Sequence, residues 1–116
     1  MSNLISAKIS PRYENDKFFW YENDTFAIEL NITLIDSLSS ETIEFSETDQ
    51  IIITFFKNDI AIHKFTFSNI TNNKVVLVFD ESVSSKFKEG KYSYTIVFKG
   101  LNTTTIVANN EAEVEK

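Results

Sequence analysis

His63, the only histidine of the chain, is the first residue whose chemistry could define a function. A Ser-His-Asp arrangement requires the imidazole to lie between a nucleophile and an orienting carboxylate. Asp59 is close in sequence and serines are frequent, but no segment resembles a nucleophile elbow, and no glycine is placed to make the strained turn of such an elbow. We therefore interpret His63 as an ordinary strand histidine and predict that the protein is not an enzyme.

Carboxylates are the other candidates for chemistry, as calcium ligands or as a glycosidase pair. Two groups stand out: Glu14, Asp16, Glu22 and Asp24 around an aromatic segment, and Asp80 with Glu81 after a predicted strand. Calcium requires several convergent oxygens, and the residue order of an EF-hand loop is absent. A glycosidase pair requires a cleft that this short chain does not predict. Without cysteine, and with one histidine, we expect no metal and no cofactor.

Length and charge limit the number of domains and the kinds of partner that the protein can have. The 116 residues, Met1 to Lys116, predict a single domain. Seventeen acidic against 11 basic residues give a net charge of −6, and Arg12 is the only arginine, so we expect no nucleic-acid partner. The first residues lack the basic start and apolar run of a signal peptide, and no stretch has the roughly 20 apolar residues that span a bilayer.

Alternating hydrophobicity predicts the fold class. The 16 aromatic residues and the abundant Ile, Val and Thr favour strands. Thr25 to Ile35 shows the clearest alternation. It predicts buried Phe26, Ile28, Leu30 and Ile32, with exposed Glu29 and Asn31. With turn signals every 8–12 residues, the pattern is typical of an all-β, immunoglobulin-like Greek-key sandwich of about seven or eight strands. A small closed barrel is the alternative.

Three local features complete the predicted secondary structure. Asn58-Asp59 predicts a tight hairpin turn, because both residue types tolerate positive φ. The segment 81–88 predicts a single helical turn capped by Ser82. The segment 109–116 is either a last edge strand or the start of a linker.

The four consecutive aromatic residues Phe18 to Tyr21 are the most specific feature for binding. Neighbouring residues of a strand face opposite sides, so the four cannot share one core. We predict a protein interface formed by Phe19, Trp20 and Tyr21, with Trp20 as its anchor, because Trp and Tyr are enriched at interface hot spots. The alternative is a core aromatic pair beneath a covering loop.

Gly90, Tyr92 and Tyr94 have the spacing of the tyrosine corner found in Greek-key sandwiches. Tyr94 would occupy the position of the second cysteine of an immunoglobulin domain. The Tyr92 hydroxyl is predicted to bond the backbone near Lys86 to Lys88. This role is structural.

The order of these segments resembles a known family. The segments are Asp24-Thr25-Phe26, Ile53 to Lys57, Val76 to Asp80, Phe87 to Tyr94 and Thr105 to Val107. Together they resemble the N-terminal immunoglobulin-like domain of the baseplate upper protein of phages that infect Gram-positive bacteria. The resemblance covers about Ile5 to Val114.

This resemblance implies a phage or prophage tail-baseplate structural module that serves virion assembly and host attachment. Its implied partners are other tail and baseplate proteins, or further copies of itself, and its implied location is the virion. It also implies that the chain could be the N-terminal module of a longer virion protein. The family has no catalytic residues to transfer to this sequence. The alternative function is a carbohydrate-binding or adhesion module of a bacterial surface.

Overall fold

Strand-forming residues organise the part of the chain that the computed structural model describes, which is residues 5–10, 17–36, 39, 41–100 and 104–116. Nine strands and one short helix lie in these ranges. The strands are β1 (Ile5–Ser10), β2 (Phe18–Tyr21), β3 (Phe26–Asp36), β4 (Thr42–Ile43), β5 (Gln50–Lys57), β6 (Ile60–Ser68), β7 (Lys74–Phe79), β8 (Gly90–Lys99) and β9 (Thr104–Glu115). Helix α1 is Glu81–Ser84, and no described helix is long and apolar enough to cross a bilayer.

The strands form two sheets. In the first, β3 pairs antiparallel with β1, β4 and β7, and because Asn31 has partners in both β1 and β7, these two strands lie on opposite sides of β3. The second has the order β2-β9-β8-β5-β6. The runs β1-β3-β7 and β9-β8-β5 match the A-B-E and G-F-C strands of an immunoglobulin sandwich. The predicted all-β sandwich is confirmed. Among the described residues no strand joins the two sheets into a closed barrel.

Strand β3 supports the predicted register. Ile28, Leu30 and Ile32 are 2% exposed or less, and Glu29 is exposed. Phe26 and Asn31 depart in part from the prediction, because both are half-buried. Phe26 lies at the start of the strand, where its ring stacks on Phe79 at 4.5 Å.

The core between the sheets is unusually aromatic. Its centre is Phe55, whose ring lies within about 6 Å of several others in edge-on or tilted contacts. These neighbours are Phe18, Trp20, Phe79, Phe87 and Tyr94. Such geometries are favoured by the aromatic quadrupole and add to the burial of apolar area. The aromatic rings therefore contribute directly to the packing of the two sheets.

The turns show which local predictions hold. Asn58 (φ 52°) and Asp59 (φ 65°) form the tight turn between β5 and β6, as predicted. The helical cap is a correction: Asp80, not Ser82, caps α1, accepting a 3.0 Å bond from the Val83 N–H. The carboxylate is the stronger acceptor, and the Ser82 hydroxyl donates to it.

The end of the chain is a strand. β9 runs without interruption from Thr104 to Glu115, so segment 109–116 is a last strand and not a linker. It is not an edge strand, because β9 lies between β2 and β8 in the second sheet. Strand β4 has only two residues, and with it the described strands exceed the predicted number. The predicted roles of Arg12, Glu14 and Asp16 lie outside the described residues.

Candidate functional site

Strand β2 places its aromatic residues on two sides of the second sheet. Phe18 is fully buried and Trp20 is 5% exposed, whereas Phe19 is 58% and Tyr21 is 55% exposed. This is the alternation that a strand imposes on neighbouring residues. The structure thus separates the predicted interface trio: Phe19 and Tyr21 face solvent together, and Trp20 faces the core.

The prediction that Trp20 anchors an interface is wrong. Its ring lies 4.9 Å from Phe79 and 5.3 Å from Phe87, and it also contacts Phe26 and Phe55. The sequence could not decide which side of β2 faces inward. The structure shows the core-pair alternative for Phe18 and Trp20, and it leaves the other two aromatic side chains exposed.

Trp20 also carries an unpaired donor. Its indole Nε1 is buried and has no hydrogen-bond partner among the described residues. A buried donor without a partner lowers stability, by about 1–3 kcal/mol in typical cases. Since the nitrogen is screened from solvent, it offers no contact to a ligand in this conformation. Trp20 is therefore a packing residue.

The pairing of β2 with β9 places two carboxylates beside the exposed aromatic side chains. The two strands are parallel, with Phe19 opposite Glu113 and Tyr21 opposite Glu115. Both glutamates are exposed. We call Phe19, Tyr21, Glu113 and Glu115 the aromatic edge. It joins two large apolar side chains to two carboxylates on one sheet surface.

Further charges lie beside the aromatic edge. Lys91 of β8 is opposite Glu113, and Lys17 forms an exposed 3.1 Å ion pair with Glu111. Exposed pairs contribute little to stability, typically about 0–1 kcal/mol. Their greater effect is on recognition, because mixed charges around an apolar centre favour a complementary partner.

The chain turns sharply after β2 and fixes the end of the aromatic edge. The Asp24 N–H donates to the Tyr21 carbonyl at 3.2 Å, and Asn23 has positive φ (68°). The Glu22 carboxylate accepts a 2.7 Å bond from the Glu89 N–H. Glu22 is therefore tied to the segment before β8.

A groove of about 370 Å³ lies next to the aromatic edge. It is bounded by β2, by Asp24 and Thr25 of the turn that follows, and by Phe26 at the start of β3. Apolar and polar groups therefore share its wall. This groove is the concave surface that adjoins Phe19 and Tyr21.

The tyrosine corner predicted from Gly90, Tyr92 and Tyr94 is visible in the structure. The Tyr92 hydroxyl donates a 2.7 Å hydrogen bond to the Lys88 carbonyl, and burial raises the pKa of Tyr92. Gly90 has φ +147°, a backbone value that residues other than glycine rarely adopt. Tyr94 is 1% exposed and lies 4.8 Å from Phe18. The three residues act in packing.

His63 lies on β6, away from the aromatic edge. Its Nδ1 is 3.0 Å from the ammonium of Lys86, and its ring packs edge-on against Phe65 at 4.6 Å. Partial burial and the Lys86 charge lower the pKa of His63, and Asp80 opposes that shift. Within the described part of the chain, no serine hydroxyl is hydrogen-bonded to the ring. The geometry is that of a strand histidine beside a lysine.

The described acidic residues do not converge on a metal position. Within the described ranges, no three carboxylate or histidine side chains lie together in a way that could hold a metal ion. Asp80 uses its Oδ1 to cap α1, and its pKa is lowered by the hydrogen bonds from Ser82 and Val83. Of the carboxylates considered as calcium ligands, Glu14 and Asp16 lie outside the described residues.

Glu113 and Glu115 are the site residues that sequence reasoning missed. Their alternation with Ala112 and Val114 was visible as a strand pattern. Their position beside Phe19 and Tyr21 depends on the parallel pairing of β2 with β9, which links residues far apart in the chain. No local signal specifies such a pairing.

Comparison with known proteins identifies no relative that would indicate a function. No family model matches the chain, and no curated protein matches it significantly in sequence.

Proposed function

We propose that this domain is a non-enzymatic structural module of a phage or prophage tail baseplate, which binds neighbouring virion proteins through the aromatic edge. The observation that carries the binding role is the exposure of both Phe19 (58%) and Tyr21 (55%) on one side of a peripheral strand. The tail assignment is supported by the sequence resemblance. The proposed location is accordingly the virion.

Physical chemistry favours a protein partner for this surface. Two exposed aromatic side chains on one strand present apolar area whose burial is favourable, by about 25 cal/mol per Å². Aromatic residues at the centre of a contact, with charges at its rim, are the common arrangement of protein interfaces. Glu113 and Glu115 supply the rim, and they keep the free surface hydrated.

A second candidate is a carbohydrate-binding or adhesion module. The groove beside β2 favours it, because this groove combines aromatic walls with the carboxylate of Asp24. The groove is open and adjoins Tyr21, so a sugar ring could stack there.

Mass spectrometry of tail particles tests the proposal. Particles are purified by density gradient from the strain that encodes this chain, and the chain is quantified relative to known tail proteins. We expect it at a fixed ratio in intact particles. Its absence from particles, together with saturable binding of the purified domain to an oligosaccharide, would replace this proposal by the carbohydrate-binding one.

A further inference from the structure

Strand β7 has one edge that no described strand covers. It pairs with β3 on the other edge, from Lys74 opposite Asn31 to Phe79 opposite Phe26. The Ile32 N–H donates to the Asn73 carbonyl, so that pair is a hydrogen-bonded one. In an antiparallel ladder, bonded and non-bonded pairs alternate.

This alternation decides which backbone groups of β7 point away from β3. Val75, Leu77 and Phe79 bond to β3, so the N–H and C=O groups of Val76 and Val78 point to the uncovered edge. The Lys74 N–H also points away from β3 and is taken by the Thr71 carbonyl at 3.1 Å. The open part of the edge is therefore centred on Val76 and Val78.

The exposed side chains of this edge are apolar, whereas edge strands usually carry residues that prevent pairing with another chain. Val76 is 44% and Val78 is 53% exposed on the outer surface of the first sheet. Natural proteins commonly block such edges with lysine, proline, a bulge or a covering segment. Within β7 the flanking charges are Lys74 at the start of the strand and Asp80 just after its end. On β3, the exposed Glu29 lies opposite Val76 and forms a 3.2 Å ion pair with Lys74.

The edge is complementary to itself. An antiparallel pairing of two copies about Leu77 places Val76 opposite Val78 of the second copy, as a bonded pair. The same register places Lys74 opposite Asp80 of the second copy, so opposite charges meet at both ends. The Lys74 ammonium, which is 3.2 Å from Glu29 of its own copy, would then lie between two carboxylates. The Asp80 bonds to the Ser82 hydroxyl and the Val83 N–H both use Oδ1, so neither of these two bonds occupies Oδ2.

Neighbouring residues extend the apolar surface on this side of the sandwich. Strand β6 is the last strand of the second sheet and adjoins β7 in the chain. Its Phe65 and Phe67 are half-buried, with parallel rings 6.4 Å apart. Two copies joined at β7 bring these strands toward each other, which offers further apolar area to the contact.

From these observations we infer that the domain forms a two-fold symmetric dimer through antiparallel pairing of β7 with β7 of a second copy. Each Val76–Val78 pair exchanges two N–H···O bonds, which satisfies the open backbone groups. An isologous contact of this kind closes at two copies. The β7 edge is distinct from the aromatic edge, so the two surfaces can act independently.

Disulfide trapping tests the register directly, because the chain has no native cysteine. Val76→Cys and Val78→Cys proteins are mixed and oxidised in a glutathione buffer. We expect the mixed dimer, which joins the Val76→Cys protein to the Val78→Cys protein, well in excess of the statistical mixture of cross-links. Ser93→Cys, exposed on the outer surface of the second sheet, is the matched control and should cross-link slowly.

Sedimentation of the unmodified chain supplies the second measurement. We expect association that increases with concentration, and its loss in Val78→Lys with an unchanged melting temperature. Ser93→Lys should associate like the wild type. A wild-type domain that stays monomeric at about 1 mM, or a statistical mixture of cross-links, overturns the proposal.

Discussion

The hydroxyl of Tyr92 donates a 2.7 Å hydrogen bond to the carbonyl oxygen of Lys88, four residues earlier in the chain. This bond links the start of β8 to the segment that leaves α1. The Tyr92 ring is 4% exposed and packs against Phe87 at 5.2 Å. The contact thus holds the crossing between the two sheets in one conformation.

Removing the hydroxyl tests this contact. Tyr92→Phe should retain the fold and lose about 1–2 kcal/mol of the free energy of unfolding, because the Lys88 carbonyl loses its semi-buried donor. Urea unfolding measures the change, and Tyr21→Phe, on an exposed tyrosine, is the control. An unchanged midpoint in Tyr92→Phe would show that the bond contributes nothing.

Trp20 should behave as a core residue. Trp20→Ala is expected to lower the free energy of unfolding by about 3–5 kcal/mol, because it empties the space between Phe79 and Phe87. Phe19→Ala, one residue earlier and exposed, should change it by less than about 0.5 kcal/mol. Equal effects of the two variants would contradict the side-chain directions of β2.

Gly90 should resist substitution because of its backbone conformation. At φ +147°, Gly90→Ala is expected to cost about 1–3 kcal/mol. An added Cβ would also lie 3.2 Å from the Lys57 Nζ, which is the end of a flexible side chain. The double variant Gly90→Ala/Lys57→Ala separates the causes: the loss should persist, and recovery of stability would identify the lysine contact as the cause instead.

His63 should make stability depend on pH near neutrality. Its folded-state pKa is lowered from 6.5, mainly by burial and then by Lys86, so the unfolded chain binds more protons in this range. The contribution of neutral His63 to the free energy of unfolding is therefore complete above about pH 6.5. It is lost as the pH falls toward the folded-state pKa.

NMR titration of the imidazole measures this shift. Lys86→Gln should raise the pKa of His63, because it removes the like charge 3.0 Å from Nδ1. Asp80→Asn should lower it further, because it removes the opposing carboxylate. A His63 pKa that is unmoved by Lys86→Gln would contradict the contact.

The local features of the fold were predictable because they depend on neighbouring residues. The alternation from Ile28 to Ile32, the Asn58-Asp59 turn and the Tyr92 corner each follow from a few consecutive positions. The direction of Trp20 was not predictable. Four aromatic residues in succession give the same pattern in either orientation, and only packing against Phe79 and Phe87 selects one.

The candidate site was predictable in part for the same reason. Phe19 and Tyr21 followed from the aromatic run, but their carboxylate neighbours required the pairing of β2 with β9. The uncovered edge of β7 likewise depends on the strand order of the whole sheet, in which no described strand pairs with that edge. Long-range pairing therefore accounts for what the sequence left open.

We propose that Phe19 and Tyr21 hold this domain in a tail particle. The most direct test is incorporation of the double variant Phe19→Ser/Tyr21→Ser into purified particles, quantified by mass spectrometry in a strain that lacks the wild-type copy. Ile60→Ser, which alters an exposed apolar residue on the opposite edge strand of the same sheet, is the matched control. We predict loss of the double variant from particles at an unchanged melting temperature, with normal incorporation of Ile60→Ser. Incorporation of the double variant at the wild-type ratio, or absence of the wild-type chain from particles, would contradict the claim.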